Sequence, residues 1–116
     1  MNYKELSKSV KNQQISPVYL FTGPEQYIGH MMEKTLIGTE LAKGLEPLNL
    51  TTYSDKNLDI SELLATCETM PMMSNKRIVI VREEAQLDKI TDKKDLDRIS
   101  AYLEKPCPST LLIIYW

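Results

Sequence analysis

The chain has 116 residues, of which 42% are hydrophobic and 26% charged, with six prolines and four glycines. That length buries one core without disulfide or metal staples and is too short for two, so residues 1–116 are expected to form one soluble globular domain. A formal net charge of -2 supplies no basic excess for gripping a phosphate backbone, which leaves any contact with DNA indirect.

The N-terminal stretch "YKELSKSVKNQ" spaces Tyr3, Leu6 and Val10 for a short helix. Pro17 ends it, because the residue before a proline is pushed out of the helical region. Val18 to Phe21 is almost continuously apolar and stops at Thr22-Gly23-Pro24, the pattern of a buried strand ending in a turn. A helix is expected from about Glu25 to Leu41, with Tyr27, Ile28, Met31, Met32, Leu36 and Ile37 on its core face and Gly44 beyond its end. "LNLTTYS" alternates like a strand, and Asp59 or Ser61 caps a helix over "SELLATCETM". Arg77 to Arg82 encloses the apolar strand "IVIV". Thr91 caps a helix that turns Leu96, Ile99 and Leu103 toward a core; Pro106 and Pro108 end it, and "TLLIIYW" is a last buried strand.

Helices alternating with apolar strands imply an α/β fold built on a mostly parallel sheet with helices on both faces. The chain stops on Trp116 directly after a strand, so it is expected to be an N-terminal piece of a longer protein. Cys67 and Cys107 form no CxxC pair and the sequence holds one histidine, so both read as small buried apolar residues; no zinc site, metal or cofactor is expected. No apolar run nears the roughly 20 residues of a membrane span, and no signal peptide is evident, which makes a cytoplasmic location the expectation.

A strand, a glycine turn and a helix is where a phosphate loop would sit, with free helical N–H groups facing the ligand. Such a loop needs G-x-x-x-x-G-K-[ST]. Gly23 and Gly29 are one residue too far apart, and His30-Met31 stands where the lysine and hydroxyl residue belong. Pro24 deletes an N–H and Glu25 adds negative charge. Glu83 and Glu84 follow the "IVIV" strand where an NTPase of this architecture holds magnesium, but Arg82 beside them opposes a cation; they read as solvated or capping charges. His30 has no partner acid or nucleophile in the sequence and reads as a surface or partly buried helix residue.

Taken together, "ISPVYLFTGPEQYIGHM", "LNLTTYS", "LLATCETMPMMSNKRIVIVREEAQL" and "YLEKPCPSTLLIIYW" resemble the N-terminal domain of the delta subunit of bacterial DNA polymerase III. The resemblance implies an AAA+ (P-loop NTPase-like) fold with a degenerate nucleotide site, a protein that opens the sliding clamp (beta subunit) for loading onto primed DNA, and no hydrolysis of ATP by this domain. It also implies that other clamp-loader subunits join through lid and collar regions absent here. An apolar pair that the family inserts into the clamp falls on Met72 and Met73, with Pro71 ending the preceding helix so that both project from a turn. Methionine is unbranched and polarizable and fits an irregular pocket, and burying two such side chains contributes about 3–5 kcal/mol before the costs of association. Met70 is expected in the core. Two other classes stay open from the residues alone: an active P-loop-type NTPase with an atypical loop, and a generic α/β scaffold whose methionines are all core.

Overall fold

A computed structural model describes residues 16–41, 44–56 and 58–116; the expected helix over Tyr3, Leu6 and Val10 lies outside them. Four strands, β1 (Val18–Phe21), β2 (Leu50–Tyr53), β3 (Arg77–Val81) and β4 (Thr110–Tyr115), form one sheet in the order β1-β4-β3-β2. All three pairings are parallel. The helices are α1 (Gln26–Glu40), a single turn α2 (Glu46–Asn49), α3 (Ile60–Cys67) and α4 (Lys93–Glu104).

The central strands β3 and β4 are buried at every residue, as a sheet covered on both faces requires. Side chains alternate across them. Ile78, Ile80, Leu111 and Ile113 pack with Met32 and Leu36 of α1, while Val79, Val81, Leu112 and Ile114 pack with Ile60 and Leu63 of α3 and Tyr102 of α4. The result is a three-layer α/β domain. No helix among the described residues is long and apolar enough to cross a membrane.

Several local expectations are corrected. β1 is an edge strand with Leu20 exposed, because it pairs with β4 alone among the described strands. A 3-10 turn (Gly23–Glu25) precedes α1, which therefore starts at Gln26. The buried face of α1 is Gly29, Met32, Glu33 and Leu36, with Ile28 and Ile37 beside it, so Tyr27 and Met31 point to solvent. Asp59 caps α3, its Oδ1 accepting from the N–H groups of Ser61 (2.9 Å) and Glu62 (3.4 Å). Asp92 rather than Thr91 caps α4 in the same way, from Lys94 (2.8 Å) and Asp95 (3.2 Å). On α4, Tyr102 is the buried residue and Ile99 is half-buried, which leaves Leu96 and Leu103 exposed on the flanks. Trp116 follows the end of β4 and is exposed. Cys67 is buried as expected and burial pushes its thiol up to about 12, whereas Cys107 is only half-buried and its thiol is lowered by a hydrogen bond with Ser109.

Candidate functional site

Parallel strands place two candidate regions at opposite ends of the sheet. The methionine turn leads into β3 at the amino end, and the glycine turn after β1 lies at the carboxyl end, where ligands bind in open parallel sheets.

At the amino end, α3 stops at Cys67, with the Glu68 N–H donating to Leu64 O and the Thr69 N–H to Thr66 O. Pro71 thus follows the helix end by several residues instead of causing it, and sits half-buried in the turn. Met70, expected in the core, is 69% exposed, because the chain has already left the helix when it is reached. Met72 is 53% exposed and Met73 84%. Three large apolar side chains are thus exposed within four residues of one turn.

The backbone beneath these side chains is held from three directions. The Met72 N–H donates to Asn49 Oδ1 (2.7 Å), while Asn49 Nδ2 donates to Met72 O (2.8 Å) and to Leu45 O (3.2 Å). Asn49 is fully buried at the end of α2, so its polar atoms are turned wholly to these partners. Ser74 Oγ donates to Glu40 O at the end of α1 (2.9 Å). The buried Arg77 donates from Nε to Thr69 O (3.3 Å) and from Nη2 to Met70 O (3.5 Å). Met73 itself takes φ +57°, a left-handed conformation that costs a side-chain-bearing residue about 1–2 kcal/mol.

At the carboxyl end, Gly23 takes φ +49° in the turn and Pro24 follows it. Gly29 has a packing role: a Cβ there would lie 2.7 Å from ring atoms of both Phe21 and Tyr115, so its bare backbone lets α1 settle on β1 and β4. His30, exposed as a side chain, stacks on the Tyr115 ring with centroids 4.8 Å apart. Beneath it, Arg82 grips the buried Glu33 carboxylate through Nη1 (2.5 Å) and Nη2 (2.8 Å). The Tyr115 hydroxyl donates to the same carboxylate. Burial and the adjoining carboxylate raise the Tyr115 pKa; burial alone would lower that of Arg82, but the paired Glu33 outweighs it and raises it. Glu83 and Glu84 are exposed in a 3-10 turn beyond β3.

Sequence pattern pointed to the glycine turn, and the family resemblance to Met72, Met73 and Pro71, but neither pointed to Asn49, Glu33 or Tyr115. The roles of those three are set by partners 23, 49 and 82 residues away. The available signal was polar residues inside apolar patterns: Asn49 between two leucines, and Glu33 on the core side of α1.

An all-parallel sheet covered on both faces, with a glycine turn after its first strand and an apolar turn before its third, defines an open α/β domain. The family described as DNA polymerase III, delta subunit, matches residues 19–116, and the chain belongs to that family. Over 113 residues it is 25% identical to the Bacillus subtilis DNA polymerase III subunit delta, covering 92% of this chain and 32% of that protein. The solved structure of the Bacillus subtilis DNA clamp loader delta protein matches with a TM-score of 0.81 at 24% identity, over 98% of this chain and 35% of that one. That likeness establishes the shared fold. The chain therefore spans about a third of the length of these two relatives.

Proposed function

We propose that this domain is the AAA+-like, nucleotide-silent part of a clamp-loader delta subunit, and that it binds the sliding clamp through Met72 and Met73. The observation that carries the reading is the exposure of both side chains, 53% and 84%, on a turn whose backbone is fixed by hydrogen bonds to the buried Asn49. Rigidly presented apolar anchors supply interface energy out of proportion to their area. Pressed against one clamp protomer, the turn favours a ring curvature incompatible with closure, so binding energy opens or traps the ring. Met70, equally solvent-facing, widens the apolar surface beside the pair.

Nucleotide silence is supported by the charges at the carboxyl end. Arg82, which reaches the helix after the glycine turn from the end of β3, is engaged with Glu33, and His30 stands in place of a phosphate-binding lysine. The domain itself carries out no catalysis; ATP held by other loader subunits exposes or withdraws its clamp surface.

Calorimetric titration of the chain with the sliding clamp of the same organism, beside a Met72→Ala/Met73→Ala variant, tests the reading. Loss of binding in a variant with an unchanged melting temperature is the expected result. Equal binding by both proteins would remove the methionines from the interface.

A further inference from the structure

We propose that Asn49 is the positioning residue for this surface: its buried side-chain amide fixes the Met72 backbone so that Met72 and Met73 stand ready for the clamp before contact. The inference rests on the clamp-binding reading of those two methionines and adds to it a residue that no exposed surface reveals. The paired bonds, Met72 N–H to Oδ1 at 2.7 Å and Nδ2 to Met72 O at 2.8 Å, reproduce with one side chain what a neighbouring strand gives a backbone. Nδ2 also holds Leu45 O at 3.2 Å, which ties the grip to the start of α2. The amide cannot swing away, because Asn49 is fully buried and every alternative orientation would leave polar atoms unpaired.

The turn needs such a grip. Between the end of α3 and the start of β3 the backbone has no regular ladder, and Met73 sits at φ +57°, which an unrestrained methionine would leave. Once released, the turn would relax to extended or right-handed conformations and the two side chains would have to be ordered again at each encounter. Ser74 and Arg77 hold the flanks of the turn at residues 74, 69 and 70, and Asn49 alone among these three holds Met72.

The test uses the full chain with 13C-labelled methionine methyl groups, in wild type, Asn49→Ala and Asn49→Ser, a serine hydroxyl being too short to bridge both backbone groups. In the variants the Met72 and Met73 methyl signals are expected to move to random-coil positions while that of Met32, 1% exposed in the core, stays in place. Clamp affinity is expected to fall roughly tenfold to a hundredfold, the effect of having to order about one or two residues on binding. Unchanged Met72 and Met73 signals in a variant lacking the amide would overturn the proposal. If Asn49→Ala also displaces the Met32 signal, the variant has lost its fold and Asn49→Ser decides. Hydrogen exchange on the wild-type chain tests the grip without any substitution: the Met72 amide is expected to be protected well above the Met73 amide, and equal fast exchange at both refutes the grip. Should wild type fail to bind the clamp, the functional reading of the methionines falls, while exchange and methyl signals still report whether Asn49 orders the turn.

Discussion

Glu33 and Arg82 meet in a two-pronged ion pair at the carboxyl end of the sheet, 2.5 and 2.8 Å between heavy atoms, joining the face of α1 to the residue after β3. Glu33 is 7% exposed, and removing Arg82 would leave its carboxylate with the Tyr115 hydroxyl but without the guanidinium that balances its charge. Arg82→Ala is therefore expected to lower stability by about 2–4 kcal/mol, somewhat less than a wholly buried pair because the guanidinium reaches solvent. Replacing all three partners with Glu33→Leu, Arg82→Met and Tyr115→Phe should recover most of that loss. Urea denaturation of the single and triple variants checks both; a single variant within about 0.5 kcal/mol of wild type would mean the pair is not anchoring α1.

Two glycines of α1 should respond with opposite signs to the same substitution. At Gly29 a new methyl would meet Phe21 and Tyr115 ring atoms at 2.7 Å, so Gly29→Ala forces the helix off the sheet and should destabilise by roughly 1–2 kcal/mol after its gain in helix propensity. At Gly38 nothing lies within 4 Å, and Gly38→Ala should stabilise by about 0.5–1 kcal/mol. Thermal melts of the two variants side by side would show whether Gly29 is a packing residue.

The layered fold was readable because the sequence repeats one grammar, apolar runs such as "IVIV" and "TLLIIY" separated by capped helices, and these two runs became fully buried parallel strands. What periodicity could not supply was lateral position. Val18 to Phe21 is as apolar as a central strand but lies at the edge, since strand order follows from crossovers and not from composition. Apolar stripes also overstate burial on one-sided helices, as Tyr27 and Leu96 show, because one sheet face covers a narrower arc than the stripe occupies. Proline gave the turn before β3 but misplaced the helix end, and the broken spacing of Gly23 and Gly29 was visible without revealing that Gly29 is a contact between α1 and two aromatic rings.

Met73 combines a strained backbone with 84% exposure, an arrangement that folding alone does not favour. Asparagine tolerates the left-handed region far better, so Met73→Asn should raise stability by about 0.5–1 kcal/mol and, on the proposed clamp-binding reading, weaken clamp binding. Denaturation and clamp titration on the same variant check the two halves. A drop in stability would show that Met73 contributes packing in the folded domain, and unimpaired clamp binding would show that it is no anchor.

Alkaline sensitivity follows from the thiol buried between α3 and the sheet. Cys67 ionises in the unfolded chain near 9.0 and in the folded domain near 12, because burial penalises the thiolate. Above the lower value the unfolded state has released a proton that the folded state retains, so stability falls with rising pH; below it the contribution is fully present. Tyr102, raised by burial and in the same core cluster, adds a slope of the same sign at higher pH. Between pH 9 and pH 11 the unfolding free energy is expected to drop by about 1–3 kcal/mol through Cys67. Cys67→Ala should be less stable at neutral pH, by roughly 1 kcal/mol for the lost packing, yet lose less as the pH is raised. Urea midpoints for both proteins across that interval separate the alternatives: parallel declines would mean that the thiol is ionised as readily in the folded domain as in the unfolded chain.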